Sequence, residues 1–428
     1  MRVAITTLGC KINQYDSAVI HSRLEGRHSI VPFEEEADFY IVNACTVTDR
    51  ADWEARQLIR RAKRRSPAAR VLVTGCYAQV SPDEVGRVPE VDFVVGLNRM
   101  DDLVRCVEES NARERISIGD VKRERGVPVL GARALPGHTR AFLKIQEGCD
   151  YSCTYCIIPT ARGLSRSVAP EAILGEIAAF ADRGYQEIVL TGIHLGGYGR
   201  DLTPRLDLTA LLEIILEKSP IRRLRLSSLD PREVPERLLT LIARSDVLCP
   251  HLHICAQAGD DRILKDMRRN YDTAYYRDIV TAARGLLPDA ALGSDIIVGF
   301  PGETEENFAR GMEFFASLPL TYFHVFPYSI RARTPAASLP GQVPATLKKE
   351  RAKKMRALGA TKKNAFAQRF IGRRLSVLVE SAGKNGALSG YSRNYLPVFA
   401  AGPAAINREA EVQIAGFENG ALFGTVLH

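Results

Sequence analysis

The sequence predicts an α/β protein in three parts: an N-terminal α/β domain with a parallel sheet, a central series of strand–helix units, and a small C-terminal β-barrel. In the first part, apolar β-branched runs of strand length alternate with helical patterns, which is typical of a parallel sheet. Six further strand–helix units lie between residues 140 and 328, too few for an eight-unit barrel. Five short β runs with glycine-bearing turns follow Gly372 and favour a small barrel of OB-like type.

The length of 428 residues agrees with two or three domains. From the changes in pattern we expect an N-terminal domain over residues 1–112, a linker rich in Arg, Gly and Pro over 113–138, a central domain over 139–371 and the small barrel over 372–428. Hydrophobic residues make up 46% and charged residues 25%, which excludes a disordered chain. No run is long and apolar enough for a membrane helix and the N-terminus is not a secretory leader, so we expect a cytoplasmic protein without membrane contact.

Three cysteines far apart in sequence share one local context. VAITTLGC, DFYIVNAC and RVLVTGC each end a strand-like run with Cys10, Cys45 and Cys76. The carboxyl ends of parallel strands lie on one edge of a sheet, where such folds bind ligands. The three thiols are therefore expected to converge, which favours a metal or cluster site over three buried small hydrophobes.

Three other cysteines lie close together, as Cys149, Cys153 and Cys156 in EGCDYSCTYC. The C-x3-C-x2-C spacing fits neither a zinc ribbon nor a bacterial ferredoxin, which needs a fourth cysteine nearby. Three thiolates on one loop can hold a 4Fe–4S cluster and leave one iron open. Cys106, Cys249 and Cys255 have no cluster spacing and are interpreted as structural.

The net charge of +8 is uneven, because residues 348–374 carry eleven Lys or Arg and one Glu. This helical segment is either a solvated face or a contact with a polyanion such as nucleic acid. A second basic stretch, residues 56–70, gives modest support for nucleic acid. The candidate RNA-binding residues are Lys348, Lys349, Arg351, Lys353 and Lys354 in this segment, with Tyr391, Arg393 and Tyr395 in the small barrel.

The motifs LGCKINQYDS, NACTVTDRA, VTGCYAQ, KIQEGCDYSCTYCIIPTARG and DIIVGFPGETEE together resemble the radical S-adenosylmethionine methylthiotransferases. The resemblance implies an open six-unit radical S-adenosylmethionine barrel and a C-terminal TRAM domain. It also implies two 4Fe–4S clusters, one on Cys149, Cys153 and Cys156 that binds S-adenosylmethionine, and one on Cys10, Cys45 and Cys76 that presents sulfur. By the same resemblance, seven residues at the barrel strand ends would bind S-adenosylmethionine: Thr191, Gly192, Ser227, Gln257, Gly299, Pro301 and Gly302. The glycines among them are equally well explained by their role in turns. The chain departs from the family pattern at Ala256–Gly259 and at Thr160.

LGCKINQ, ACTVT, LTGIHLGGYG and HVFPYS resemble the MtaB type of this family, which adds a methylthio group to carbon-2 of N6-threonylcarbamoyladenosine at position 37 of tRNA. The implied partners are the tRNA anticodon stem-loop and a low-potential electron donor such as flavodoxin or ferredoxin. Two enzymatic alternatives stay open, isopentenyladenosine-37 of tRNA and an aspartate of a small-subunit ribosomal protein. A non-enzymatic alternative is an RNA-binding iron–sulfur redox sensor.

Overall fold

The computed structural model describes residues 1–109, 114–127, 130–383 and 386–427. Its N-terminal part is a six-stranded sheet of parallel strands in the order β2-β1-β3-β4-β5-β6. The strands are β1 (Arg2–Thr7), β2 (Ser29–Val31), β3 (Phe39–Ala44), β4 (Arg70–Gly75), β5 (Phe93–Val95) and β6 (Ile116–Ser117). The helices are α1 (Lys11–Leu24), α2 (Asp49–Arg65), α3 (Cys76–Val80), α4 (Pro82–Gly86) and α5 (Met100–Glu108).

This part confirms the predicted parallel sheet and differs from the sequence expectation in two details. The helical pattern DSAVIHSRLEGR predicts a helix from Asp16, whereas helix α1 begins at Lys11, because Cys10 takes the N-cap position and its carbonyl accepts from the Gln14 amide. The segment expected to be a linker contributes β6 to the sheet edge. The expected boundary between residues 112 and 113 lies outside the described residues.

The central part contains six parallel strands, as the six strand–helix units predicted. They lie in two hydrogen-bonded sheets with the orders β10-β9-β7 and β12-β13-β14, and a bridge between Leu224 and Leu248 connects β10 to the residues before β12. They are β7 (Arg140–Glu147), β9 (Glu187–Gly192), β10 (Arg223–Leu226), β12 (His251–Ile254), β13 (Ala291–Val298) and β14 (Tyr322–Pro327). Two-residue strands, β8 (Arg166–Ser167) and β11 (Ser228–Leu229), extend the two halves of this open barrel. A continuous apolar core lies between the strands and their helices.

The helices of the central part cover the outside of the barrel, except for the short α6 beside the cysteine loop. They are α6 (Ile158–Arg162), α7 (Pro170–Asp182), α8 (Leu208–Lys218), α9 (Glu236–Arg244), α10 (Asp261–Asp266), α11 (Thr273–Leu286), α12 (Glu305–Ser317) and α13 (Ala345–Gln368). Four of them begin where a side-chain oxygen accepts a hydrogen bond from the first helical turn, which stabilises a helix start. These capping residues are Asp207, Asp260, Asp272 and Thr304.

Five strands at the C-terminus form a closed barrel in the order β15-β16-β17-β19-β18, which confirms the predicted small barrel. They are β15 (Arg374–Ala382), β16 (Leu388–Ser392), β17 (Pro397–Ala401), β18 (Glu409–Glu418) and β19 (Ala421–Val426). Phe366 and Phe370, at the end of α13, join its apolar core. Among the described residues, none of the helices has both the length and the apolar character that crossing a membrane requires.

Candidate functional site

The first cysteine site lies at one edge of the N-terminal sheet. Strands β1, β3 and β4 are direct neighbours in the sheet. Cys10 follows the end of β1, Cys45 comes directly after β3, and Cys76 is the first residue of α3 after β4. The three thiols therefore meet as the sequence predicted, and none of them forms a disulfide.

Two glycines allow this approach. Gly9, just before Cys10, has φ +108°, and a Cβ there would lie 2.6 Å from the Cβ of Cys45. Gly75, just before Cys76, has φ +90°, and a Cβ there would lie 2.6 Å from the carbonyl oxygen of Ala44. Both positions combine left-handed backbone with a close neighbour, so only glycine fits without displacement.

Two of these cysteines, Cys45 and Cys76, are buried, whereas Cys10 is exposed. Burial and the neighbouring Cys76 and Cys10 raise the pKa of Cys45 to about 12. Burial likewise raises the pKa of Cys76, although Arg162 opposes this shift. Cys45 and Cys76 therefore keep their protons near neutral pH, and a bound metal must displace these protons.

Arg162 connects this site to the central barrel. Its Nε lies 3.3 Å from the sulfur of Cys76, and its other nitrogens donate to Glu147 (2.6 Å), Asn13 (2.6 Å) and Asp16 (3.0 Å). The guanidinium is almost fully buried, so its charge is balanced by these partners and not by water.

Lys144 completes the buried group, because its Nζ donates to Asp16 at 2.7 Å and to Glu147 at 2.8 Å. Although burial opposes it, Arg162 and Lys144 lower the pKa of Glu147 to about 2. Two cations and two carboxylates thus join strand β7 and helix α6 to helix α1 of the N-terminal part. The alignment of the two cysteine sites depends on this contact.

The second cysteine site is the loop between β7 and α6. Gly148 has φ +74°, and the Cys149 amide donates to the carbonyl of Gly163 at 3.0 Å, which closes the loop at its base. The Tyr151 amide donates to the sulfur of Cys149 at 3.4 Å. Burial, with the adjacent Cys153 and Cys149, raises the pKa of Cys156 to about 12, against the Ile158 amide, which lowers it.

Two more side chains reach this loop from distant segments, His194 from just after β9 and Arg269 from between α10 and α11. Arg269 donates to the sulfur of Cys153 at 3.1 Å and pairs with Asp230. The Nε2 atom of His194 lies 2.7 Å from a carboxylate oxygen of Glu233. Although burial opposes it, hydrogen bonding to Cys149 and Glu233 raises the pKa of His194 to about 9.

A cavity of about 210 Å³ lies between the two cysteine loops. Cys156 lines it on one side, and Val47 and Thr48, which follow Cys45, line the other. Gln257 and Asp295 contribute polar groups to the wall. The other lining residues are mostly apolar: Tyr155, Ile157, Ile158, Ile297, Phe326, Pro327, Tyr328 and Ser329. The cavity therefore borders the second cysteine loop directly, through Cys156, and borders the first site through the two residues Val47 and Thr48 that follow Cys45 closely.

The predicted S-adenosylmethionine residues fall into two groups. Thr191, Gly192, Ser227 and Gln257 lie at or just beyond the ends of β9, β10 and β12, and the buried hydroxyl of Ser227 has no hydrogen-bond partner among the described residues. Gly299, Pro301 and Gly302 instead lie in the loop after β13, where Gly299 packs against Lys348 of α13. The Gly299 amide donates to Glu303 at 2.6 Å, and the Gly302 amide donates to the Gly341 carbonyl at 2.8 Å.

The predicted RNA-binding residues differ in exposure. Lys349 and Lys353 are exposed, whereas Lys348 donates to the Tyr328 carbonyl and Lys354 pairs with Glu350. Arg351 is 2% exposed between Glu303 and Glu305, so an RNA contact does not fit its position.

In the small barrel, the predicted residues contact the central barrel. The ring of Tyr395 lies 4.9 Å from that of His251 and 5.0 Å from that of Tyr391, measured between centroids. Arg393 pairs with Glu409 at 2.8 Å. These three side chains, as positioned here, stabilise the contact between the two barrels.

Sequence reasoning missed the groups that approach the sulfurs. Arg162 stands in the quoted motif CIIPTARG, and an arginine just after a cysteine loop was a usable signal. Arg269 and His194 are distant from the cysteines in sequence; His194 stands in the quoted motif LTGIHLGGYG, whereas no quoted motif contains Arg269.

Both donor sets fit an iron–sulfur cluster. Each offers three unpaired cysteine sulfurs, the soft ligands that such clusters require. Each also has N–H donors aimed at sulfur, Arg162 in one and Arg269 in the other, and these suit the negative charge of metal-bound thiolates.

Comparison with known families divides the chain as the fold does. Residues 2–96 match the uncharacterized protein family UPF0004, residues 143–315 match the radical SAM superfamily, and residues 368–427 match the TRAM domain.

Among solved structures, the chain is similar to the radical S-adenosylmethionine methyltransferase TsrM from Kitasatospora setae, with a TM-score of 0.57 at 17% identity, covering 78% of this chain and 77% of that one. It is also similar to the cobalamin-dependent S-adenosylmethionine radical enzyme OxsB, with a TM-score of 0.52 at 12% identity, covering 83% of this chain and 56% of that one. At these identities the similarity concerns the fold.

Curated relatives match over nearly the whole length. The threonylcarbamoyladenosine tRNA methylthiotransferase MtaB of Bacillus subtilis is 39% identical over 92% of this chain and 89% of its own. MtaB of Aquifex aeolicus is 39% identical over 89% and 93%. The tRNA-2-methylthio-N(6)-dimethylallyladenosine synthase of Moorella thermoacetica is 34% identical over 99% and 98%. The chain belongs to the tRNA methylthiotransferase family of radical S-adenosylmethionine enzymes.

Proposed function

We propose that this protein adds a methylthio group to carbon-2 of N6-threonylcarbamoyladenosine at position 37 of tRNA. The observation that carries the proposal is one cavity lined by Cys156 of the second three-cysteine site and by Val47 and Thr48, which follow Cys45 of the first. The identity of 36–39% to four MtaB proteins supports this substrate. The TRAM domain supports tRNA as the partner.

The proposed cofactors are S-adenosylmethionine and two 4Fe–4S clusters. Cys149, Cys153 and Cys156 would hold the first cluster, and Cys10, Cys45 and Cys76 the second. When bound, the first would supply reductive cleavage of S-adenosylmethionine, and the second would supply the sulfur. Carbon–hydrogen bonds of an aromatic ring are beyond the reach of side-chain chemistry alone, so the protein contributes binding and orientation.

The side chains around the cavity have separable tasks. Tyr155, Ile157 and Phe326 exclude water from the space between the two sites. Gln257 and Asp295 offer an amide and a carboxylate to the polar edge of a base. Although burial opposes it, His253 and His324 hold the pKa of Asp295 well below its usual range, so this carboxylate accepts hydrogen bonds at neutral pH.

The proposal includes a low-potential electron donor such as flavodoxin or ferredoxin. It also includes a cytoplasmic location, because tRNA is the proposed substrate and reduced cysteines require a reducing compartment.

Cysteine replacement tests the two-site assignment. Anaerobically reconstituted protein should contain about eight iron atoms per chain, and Cys76→Ala about four. Cys153→Ala should abolish formation of 5′-deoxyadenosine, whereas Cys76→Ala should retain some of it but form no methylthio product. Cys106→Ala, a buried cysteine of α5, is the matched control and should keep both the iron and the product. Methylthio product from the Cys76 variant would contradict the assignment.

Mass spectrometry of tRNA nucleosides from cells that lack and then regain the gene tests the substrate. We expect 2-methylthio-N6-threonylcarbamoyladenosine to disappear and return. Isopentenyladenosine is the second candidate, favoured by the 34% identity to the Moorella thermoacetica enzyme over 99% of this chain. Loss of the methylthio-isopentenyl nucleoside instead would select that candidate. If the level of neither nucleoside changed, the result would favour the two remaining alternatives, a ribosomal-protein substrate and a redox sensor.

A further inference from the structure

Helix α2 presents one exposed face along its whole length. Trp53, Gln57, Arg60 and Arg64 are separated by four, three and four residues, so they lie on one side of the helix. The buried residues lie on the opposite side and pack on the sheet: Ala55, Ile59 and Ala62.

The cations of this face are unneutralised. Arg60, Arg61 and Arg64 are exposed and form no ion pair with any part of the chain that the structure describes. Other cations of the same helix are engaged: Arg56 pairs with Glu84, Lys63 pairs with Asp92, and Arg65 donates to the Phe33 carbonyl. Helix α2 therefore carries two sets of cations: one set is bonded within the protein, and the other is available to bind a partner.

Trp53 adds an aromatic surface to these charges. It is the single tryptophan of the sequence and is 56% exposed. An exposed aromatic ring beside arginines is the combination that binds single-stranded nucleic acid, through base stacking and phosphate contacts.

The face begins at the rim of the cavity. Helix α2 starts four residues after Cys45, and the Asp49 amide at its first position donates at 3.0 Å to Ser329, which lines the cavity. At 1.5 Å rise per residue, the stretch from Trp53 to Arg64 extends about 17 Å away from this rim.

The basic helix α13, by contrast, uses much of its charge within the protein. Arg351 lies between Glu303 and Glu305, and Lys362 donates to the carbonyls of Ala316 and Leu318. Arg356 donates to the Val325 carbonyl. Lys349 and Lys353 of α13 stay exposed, and α2 differs from α13 by placing the exposed ring of Trp53 beside its free arginines.

We propose that the exposed face of α2 binds the anticodon loop of tRNA, with Arg60, Arg61 and Arg64 on backbone phosphates and a base stacked on Trp53. This inference rests on the proposed function, since it names the surface that holds the same substrate at the cavity. RNA is favoured over an acidic protein because the face combines an aromatic ring with spaced arginines.

Binding of a synthetic anticodon stem-loop RNA to the full-length, iron-loaded protein tests the proposal. Removing the charges in R60Q/R61Q/R64Q should lower affinity at least about tenfold. It should also make the slope of log affinity against log salt shallower by about two, since each single-strand phosphate contact contributes about 0.7. The matched control R205Q/K218Q/R244Q removes three exposed charges from helices α8 and α9 and the loop before α8, and should bind within about twofold of the wild type.

Trp53 supplies an independent readout. Because the chain has one tryptophan, a change of its emission on RNA titration reports on this position alone. We expect quenching that saturates with the binding curve, and Trp53→Ala should weaken affinity about tenfold. Iron content and melting temperature equal to the wild type show that each variant is folded.

Wild-type-like RNA affinity in both α2 variants, or an emission that RNA leaves unchanged, would overturn the proposal. Normal RNA affinity with slower reduction by reduced flavodoxin would also overturn it, and would assign the face to an acidic protein. Formation of 2-methylthio product by the wild-type preparation tests the proposed function separately. If product forms and α2 proves irrelevant, only this inference fails; if no product forms, the proposed function fails whatever α2 does.

Discussion

Gly9 and Gly75 show how single residues decide the geometry of the N-terminal cysteine site. Each precedes a cysteine, adopts positive φ and leaves no room for a Cβ. The Gly-Cys pairs were visible in the sequence as LGC and TGC. The need for glycine at these two positions could be seen only in the folded structure, because the atoms that exclude a side chain belong to residues 43–45.

Gly9→Ala should therefore damage the N-terminal site selectively. The added methyl meets Cys45, so we expect iron to fall from about eight toward about four per chain while 5′-deoxyadenosine formation continues. Gly26→Ala is the matched control, because Gly26 also has positive φ, +81°, but has nothing within 4 Å of the added carbon. Iron assays on both variants check this, and equal iron contents would contradict it.

The buried arginines make a second point at the residue scale. Arg162 and Arg269 each donate to one cysteine sulfur and each pair with carboxylates. Removing a buried cation costs more than its contact is worth, because its carboxylates stay buried and unpaired. Both arginines therefore support the loop structure as well as the sulfur they touch.

At the scale of elements, the segment after β14 connects both cysteine loops. Arg331 donates to the Thr46 carbonyl at 3.2 Å and to Asp52 at 2.5 Å, beside Cys45. Five residues later, the Ala336 amide donates to the carbonyl of Thr154, inside the other cysteine loop, at 2.8 Å. One short segment thus spans the opening between the two sites.

Arg331→Gln should loosen the Cys45 loop without unfolding the protein. We expect faster loss of iron to a chelator from the N-terminal site, by several-fold, because the loop carbonyl and Asp52 lose their shared donor. Arg333→Gln changes an exposed arginine of the same segment and serves as control. Equal release rates for the two variants would argue against a supporting role for Arg331.

At the scale of the whole molecule, Glu187 joins the central and C-terminal barrels. Its carboxylate accepts from Arg223 at 2.8 Å and from Arg225 at 2.7 Å. The same two arginines also donate to the small barrel, Arg223 to the carboxylate of Glu409 and Arg225 to the carbonyl of Arg393. Although burial opposes it, Arg225 and Arg223 lower the pKa of Glu187 to about 2.

This shift predicts acid sensitivity. A carboxylate with a lowered pKa in the folded state stabilises the protein above its ordinary pKa near 4.5, and the stabilisation is lost as pH falls from there toward 2. It amounts to about 3 kcal/mol at neutral pH. Glu187→Gln should therefore lower the melting temperature at pH 7 and show less further loss at pH 3.

Melting should be followed on cluster-free protein, because acid also protonates cluster thiolates. Glu213→Gln removes the same charge from an exposed pair with Arg237 and should keep the wild-type pH profile. A Glu187 variant whose profile also matched the wild type would contradict the assigned role.

Much of the architecture followed from the sequence alone. Strand-like runs alternating with helical patterns gave the order of elements, because burial on two faces of a parallel sheet requires continuous apolar runs. The two cysteine triads followed from spacing and from the rule that parallel strands end on one edge. Helix α1 was misjudged at its start, because its first turn is polar and is buried by tertiary contacts.

Tertiary structure alone decided which charges are free. The sequence showed two basic segments, and local pattern could not tell that Arg351 of α13 is buried in ion pairs while Arg60 of α2 is exposed. It also decided that Arg162 reaches the sulfur of a cysteine 86 positions away. Covalent spacing and periodicity are local properties of a chain, whereas the partner of a charge is set by segments that only the folded packing brings together.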